Sequence, residues 1–282
     1  MSSRGNFNHQ NLVHAWGERT LIMGIVNVTP DSFSGDGSLD ATIASQYAMA
    51  QVHAGADLID IGAESTRPGF SPVSVADEIV RILPVIKTIR ETSNCLISID
   101  TTKPEVLRAA VASGANILNS IWGLTPELLD AVRELSIPVV LMHNKHRAIY
   151  DGDVVDEVVK ELKLQAEHAL AIGIESANII LDPGMGFGKT AEHNLLVMQG
   201  LSRLVELGFP TLIGPSRKSF IGKITGQSVE NRAHGTAATV ALAIAAGVDI
   251  VRVHDVCAML DVVKMTDSIV RNWRPVDWEK SS

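Results

Sequence analysis

Aromatic side chains are scarce in this sequence, making up 4% of its 282 residues. A core built from such a chain must be mainly aliphatic, and the 46% share of hydrophobic residues suits aliphatic strands with alanine-rich helices. Cysteine is nearly absent. Cys95 and Cys257 cannot make a disulfide framework, and their apolar neighbours predict buried thiols at both positions. Positive charge is not in excess: the formal net charge is −8, which excludes a nucleic-acid binder working through a basic surface while leaving room for a local basic pocket. The opening stretch MSSRGNFNHQNLVHAWGER has no apolar run long enough for a signal peptide or membrane span. A cytoplasmic protein without a membrane or nucleic-acid partner is therefore expected. No G-x-S-x-G elbow and no H-E-x-x-H helix occurs, so serine hydrolase and zinc protease chemistry find no support.

What is present is a recurring unit. HAGADLIDIG (53–62), ASGANILNSI (112–121) and AAGVDIVRVHD (245–255) each run from a small-residue helix end, through a glycine that can cap the helix, into an apolar strand. AIGIESANIILDPG (171–184) and LGFPTLIGPS (207–216) are looser copies. LIMGIVNVTP (21–30), NCLISID (94–100) and IPVVLMH (137–143) bring the strands to eight. They read as continuous hydrophobic runs, as strands buried on both faces of a parallel sheet require. Helical patterns fill the gaps at 40–54, 74–92, 103–113, 126–136, 152–172, 191–207, 229–246 and 257–272. Eight strand–helix units in a chain of this length predict a single (β/α)₈ TIM barrel, which typically needs about 250 residues. An open doubly wound sheet would carry G-x-G-x-x-G after its first strand, where this chain has NVTPDSFSGDG. The reading divides the chain into an N-terminal extension, 1–19, and a barrel domain, 20–282.

LDPGMGFGKT (181–190) ends like a phosphate-cradling loop, yet Pro183 occupies the position where that loop needs its first glycine. The stretch reads instead as the end of the sixth barrel strand. In a barrel of this kind the site lies where strands give way to helices. Each predicted strand ends there in a polar group: Asn27, Asp60, Asp100, Asn119, His143, Asp182, Ser216, and Arg252 with His254. Asp100, Asn119 and Asp182 suit a planar heterocycle rich in N–H and C=O groups, and Lys218 offers a donor to its carbonyl or a cation over its face. Arg67, Arg252 and His254 suit a phosphate or diphosphate. Asn27 suits a hard cation such as Mg²⁺ bound mostly through phosphate oxygens and water. His143 and His146 lack a further ligand at useful spacing for a metal pair.

MGIVNVTPDSFSGDG (23–37), IDIGAESTRPG (59–69), ISIDTTKPEV (97–106), LDPGMGFGK (181–189), GPSRKSFIG (214–222) and RVHDV (252–256) together resemble the dihydropteroate synthases of folate biosynthesis, in the family's order. The resemblance covers essentially the whole chain after residue 20. It implies a pterin-binding barrel that condenses 6-hydroxymethyl-7,8-dihydropterin diphosphate with p-aminobenzoate, with Mg²⁺. It implies further that Asp100, Asn119, Asp182 and Lys218 surround the pterin. Asn27 would touch the metal, and Thr66, Arg252 and His254 the diphosphate substrate. Arg67 falls in the STRPG loop, while Phe33, Pro68, Phe187 and Ser219 match positions that shape the p-aminobenzoate pocket, where sulfonamides compete. A homodimer through outer helices is implied as well, with the alanine-rich segment 233–246 available for it. The chain departs from the family at Ser120, in GAEST, and in LMHNKHR. A pterin-binding homologue without synthase activity and a folate-dependent methyltransferase barrel stay open beside the synthase.

Overall fold

The structure is a computed structural model that describes residues 5–9, 12–29, 37–64 and 72–278. Two short strands, β1 (Asn6–His9) and β2 (Leu12–Ala15), pair antiparallel as a hairpin. Eight further strands follow among the described residues: β3 (Leu21–Asn27), β4 (Leu58–Gly62), β5 (Leu96–Asp100), β6 (Ile117–Ser120), β7 (Val139–Met142), β8 (Ile179–Asp182), β9 (Leu212–Ile213) and β10 (Ile250–Val253). They are parallel and lie in the order β8-β7-β6-β5-β4-β3-β10-β9. A bridge between Leu181 and Thr211 joins the two ends, so the sheet closes on itself as the eightfold repeat predicts.

Closure rests on the shortest strand, and the sequence around β9 explains its brevity. Pro210 has no N–H for a ladder, although its carbonyl accepts from Leu181 N at 2.8 Å. Gly214 and Pro215 end the strand on the other side. Asp249 compensates: its Oδ2 accepts from Thr211 N at 2.8 Å and from the Thr211 hydroxyl at 3.2 Å.

Helices cover the outside with ends close to the predicted ones, at Gly37–His53, Val75–Thr92, Pro104–Ala112, Pro126–Leu135, Val154–Ala171, Ala233–Ala245 and Val256–Val270. Local signals set these limits. Thr125 caps the helix that begins with Pro126, and Asp153 Oδ1 accepts from Val155 N at 2.8 Å and Asp156 N at 3.0 Å. Two differences appear. The single helix expected over 191–207 breaks at Gly200, whose φ of −92° and ψ of 8° leave the helix, into Ala191–Gln199 and Leu201–Val205, and Val155 packs where a side chain at 200 would stand. The segment expected to be helical from 229 opens instead with a short 3₁₀ turn, Val229–Asn231, while an additional helix, Ser219–Thr225, precedes it.

The lower half of the barrel is dry. Leu21 and Met23, Leu58, Leu96, Ile117, Val140, Ile180, Leu212 and Ile250, from all eight strands, form one buried cluster with Trp16. Trp16 follows the hairpin, is only 6% exposed, and donates its indole N–H to the Ala177 carbonyl at 3.1 Å. It stoppers the end opposite the predicted site. Cys95 is half-buried, with its thiol pushed up to about 12 by burial first and by Asp57 second. Cys257, expected to be buried, is exposed, since it lies on the outer side of the last helix.

Replacing Trp16 with Ala removes both the stopper and its hydrogen bond. The expected loss is about 3–5 kcal/mol of unfolding free energy, measured by urea denaturation; a change well below 1 kcal/mol would show that the plug carries no weight.

Candidate active site

The polar half of the barrel begins two residues beyond the apolar layer. Side chains on one face of a strand recur every second residue, so Leu58 leads to Asp60, Ile117 to Asn119, Ile180 to Asp182 and Ile250 to Arg252. Another step of two reaches Asp100 from Leu96 and Ser98, and Asn27 from Met23 and Ile25. The C-terminal mouth therefore gathers carboxylates, amides and a guanidinium over an aliphatic floor.

At the centre lies an ion pair. Asp60 is fully buried, and its Oδ2 accepts from Arg252 Nε at 2.7 Å and from Asn119 Nδ2 at 3.0 Å. Arg252 Nη2 lies 3.8 Å from Asp100 Oδ2, so one guanidinium spans both carboxylates. A buried charge costs several kcal/mol unless paired and hydrogen-bonded, and Asp60 achieves this with two donors on a single oxygen. Asn119 is thereby oriented, with its amide nitrogen toward Asp60. Burial raises Asp100 to about 8, the Asp60 charge adds to the rise, and Arg252 opposes it. Asp182 is raised to about 6 by burial, held there against the Gly184 N–H, Arg252 and Lys218. Lys218 is lowered to about 8 by burial and Arg252, with Asp182 pulling the other way.

These groups line one pocket at the mouth. Its polar members are Asn119, Asp182, Lys218 and Arg252, and its apolar walls are Ile121, Met142, Met185 and Phe187, with Gly214 completing it. Lys218 Nζ stands 4.2 Å from the Phe187 ring centroid, a cation over an aromatic face. The arrangement fits a flat, polar heterocycle with hydrogen-bonding groups on its edges.

The loop after β8 answers the question raised by its glycines. Gly184, Gly186 and Gly188 all have left-handed backbone, at φ 68°, 80° and 55°. A β-carbon at 184 would run into the His143 carbonyl, and one at 188 into the carbonyl of Lys145. Gly184 N donates to Asp182 Oδ1 at 2.7 Å, which holds that carboxylate in place. Thr190, the last residue of the phosphate-loop look-alike, caps the next helix by accepting from His193 N at 3.1 Å.

Asp100, Asn119, Asp182, Lys218, Phe187 and Arg252 thus come together. His254 lies beyond Arg252 on the same strand line, its Nδ1 3.0 Å from Ser216 Oγ and its carbonyl accepting from the Tyr47 hydroxyl at 2.8 Å. Ser219 is exposed at the start of helix Ser219–Thr225, and Asn27 is exposed at the end of β3. Phe33, Thr66, Arg67 and Pro68 lie outside the described residues. His143 does not join the mouth. It follows Met142 on the opposite face of its strand, is fully buried, and points at Glu161, whose Oε2 is 3.2 Å from Nε2. The loop beyond it, atypical in sequence, is tied down by Lys145, which pairs with Glu157 at 2.6 Å and with Glu161 at 3.3 Å. Among the described residues no group of three or more His, Cys, Asp or Glu side chains stands ready to hold a metal, and no helix is long and apolar enough to cross a membrane. Two contributors went unassigned in the sequence: Asp60, recognised as a strand end but not as the hub, and the apolar walls Ile121, Met142 and Met185. The two-residue step from the apolar layer signals both Asp60 and Met142.

Residues 23–254 match the family described as pterin binding enzyme. A dihydropteroate synthase from Clostridium beijerinckii is 45% identical over 259 residues, covering 90% of this chain and 96% of that protein. Among solved structures, a Xanthomonas albilineans dihydropteroate synthase with 4-aminobenzoic acid superposes with a TM-score of 0.89 at 41% identity, covering 97% of this chain and 100% of the other. The Xanthomonas albilineans enzyme in complex with 7,8-dihydropteroate gives a TM-score of 0.87 at 39% identity, covering 96% and 100%.

Asp60→Asn tests the central pair. It should lower stability by about 3–5 kcal/mol, because the Arg252 guanidinium stays buried without its counter-charge. It should also bring the Asp100 titration down from about 8, since the Asp60 charge helps to raise it. Carboxyl-carbon NMR of Asp100 reads the second effect, and an unmoved titration would contradict the coupling.

Proposed function

The chain belongs to the pterin-binding enzyme family, and from that premise we propose that its barrel mouth condenses 6-hydroxymethyl-7,8-dihydropterin diphosphate with p-aminobenzoate. The products are 7,8-dihydropteroate and diphosphate, a transferase reaction of tetrahydrofolate biosynthesis. One observation carries the reading for this chain: a pocket with aliphatic and aromatic walls also has Asn119, Asp182, Lys218 and Arg252 in its lining.

A pterin ring offers N–H donors on one edge and ring nitrogens and a carbonyl on the other. Asp182 and the Asn119 oxygen suit the donors, and Lys218 suits the carbonyl. In the reaction, the bond between the pterin methylene carbon and the diphosphate oxygen breaks, and its electron pair leaves with the diphosphate. The aniline nitrogen of p-aminobenzoate forms the new C–N bond and then gives up a proton to solvent. An aniline is already a nucleophile at neutral pH, which accounts for a mouth whose charged groups serve binding and not base catalysis. Asp100 and Asp182 favour the cation-like ring that develops as the leaving group departs. His254 and the positive charge of Arg252 attract the departing diphosphate. Phe187 and Ser219 border the p-aminobenzoate side, to which we also assign Phe33 and Pro68; Thr66 and Arg67 are assigned to the diphosphate side.

The donors on hand fit Mg²⁺ carried in by the substrate: one exposed amide oxygen at Asn27 at the strand end and no three-ligand cluster among the described residues. When bound, the ion neutralises charge on the leaving diphosphate. A homodimer forms part of the proposal, supported by exposed apolar residues on the last two helices, Leu242, Met265 and Ile269. We place the enzyme in the cytoplasm, where its two unpaired cysteines remain reduced.

Turnover is tested with the pterin diphosphate, p-aminobenzoate and Mg²⁺; absence of both dihydropteroate and released diphosphate would sink the reading. Lys218→Ala and Asp182→Asn should each lower kcat/KM by roughly 10- to 100-fold with the fold retained, the cost of one charge-assisted hydrogen bond. Wild-type kcat/KM should fall below about pH 6, where Asp182 takes up a proton, and above about pH 8, where Lys218 loses its own. The acid limb should vanish in Asp182→Asn.

A further inference from the structure

We propose that Lys189 is a positioning residue for the pterin pocket, its ammonium tying the carbonyls of Gly184 and Phe187 to His143 and so fixing where Asp182, Met185 and Phe187 meet the substrate. The inference rests on the pterin reading above and assigns work to a lysine that does not itself line the pocket.

Lys189 Nζ lies 2.9 Å from His143 Nδ1, 3.1 Å from the Gly184 carbonyl, 3.2 Å from the Phe187 carbonyl and 3.4 Å from the His143 carbonyl. The left-handed glycines explain why so many carbonyls meet there. With φ positive at 184, 186 and 188, the loop forms no ladder, and two of its carbonyls turn away from the pocket toward a common point behind it. Carbonyls crowded in this way repel one another unless a multivalent donor sits among them, and an ammonium brings three N–H groups. The pocket face of the same loop carries Met185, which is 1% exposed, and Phe187, whose ring lies under Lys218. Asp182 is joined to the loop through Gly184 N. A shift of the loop backbone would therefore move a carboxylate, an apolar wall and an aromatic face together.

His143 is matched to this task. Burial lowers Lys189 to about 7, with Asp182 and Glu161 pulling the other way, so below that pH it is an ammonium that only donates; Nδ1 then accepts, and the proton of the neutral ring sits on Nε2, facing Glu161. Burial, then Lys189 and Lys145, lower His143 to about 3, so the ring stays neutral and remains an acceptor. His143 N also donates to the Asp182 carbonyl at 2.9 Å, linking the anchor to the strand that bears the carboxylate.

The test compares full-length wild type with Lys189→Met, His143→Gln and His143→Leu, titrated with 6-hydroxymethylpterin by calorimetry and assayed at steady state. Lys189→Met should bind the pterin about tenfold or more weakly, and raise KM for the pterin diphosphate more than it lowers kcat. His143→Gln, which keeps an acceptor for Lys189, should retain more affinity than His143→Leu. Wild-type pterin affinity in Lys189→Met overturns the proposal. Failure of the wild-type protein itself to bind the pterin overturns the underlying reading instead, so the two failures are distinguishable. Should Lys189→Met not fold, nitrogen NMR of wild-type His143 decides: an unprotonated Nδ1 is expected at about pH 5 to 6, where Lys189 is charged, and an Nδ1–H tautomer there overturns the arrangement.

Discussion

The Asp60–Arg252 pair at the middle of the barrel is the interaction on which the rest of the site depends. A carboxylate with no solvent exposure has no business inside a barrel unless its charge is met locally, and Arg252 meets it at 2.7 Å. The pairing fixes one edge of the guanidinium and turns another toward Asp100. It also leaves Asn119 a single sensible orientation, nitrogen toward Asp60. Two groups of the mouth, Arg252 and Asn119, are thus oriented by one buried residue. Replacing the pair with aliphatic side chains would extend the apolar layer upward at no cost in stability, yet the mouth would lose its organisation. The arrangement is better understood as one of position than of stability.

A second constraint comes from the β8 loop, where the backbone is bent by glycines and the resulting carbonyls are gathered behind the pocket. The strand supplies Asp182, the bend supplies Met185 and Phe187, and the end of the loop caps the following helix through Thr190. The motif looks like a nucleotide loop because both need glycines ahead of a lysine. The physical purposes are opposite. In a phosphate loop the N–H groups converge on an anion, whereas here carbonyls converge on a cation.

Much of this was legible in the primary sequence, and the particular residues show why. The eight strands could be read because each is a short apolar run and five of them follow a glycine-terminated helix, a pattern that survives without knowledge of partners. Asp100, Asn119, Asp182 and Arg252 could be read because polar residues inside such runs are expensive and therefore purposeful. His143 misled for want of parity: it follows Met142, so it points outward, and a count in steps of two from Val140 excludes it. Closure through Pro210 and Leu181 and the three-way role of Lys189 were not legible, because both depend on groups brought together from separate strands. Cys257 shows the limit of local composition, since an apolar neighbourhood in sequence says nothing of which helix face looks outward. Pro183 ends the phosphate-loop resemblance on sequence alone, while the lysine and threonine that create it acquire meaning only in three dimensions.

The proton distribution ties the two constraints together. Burial raises Asp182 to about 6 and Asp100 to about 8 and lowers Lys218 to about 8, so around neutral pH burial favours a proton on Asp100 while Lys218 keeps its charge. The chief cause in each case is burial, and burial is also what a flat ligand would increase. A ligand that merely excluded water would push these groups further toward their neutral forms. A pterin brings N–H groups to the carboxylates and a carbonyl to the ammonium, and so favours the charged forms at the moment that solvent is lost. On the proposed reading, selectivity follows from the same groups as catalysis: an apolar ring of equal shape would leave two carboxyls and an ammonium desolvated without partners, a penalty that grows with how well the ring fits. The site recognises its heterocycle by making any close-fitting substitute costly, and the rigid support from Asp60 below and Lys189 behind keeps the mouth from relaxing to escape that cost.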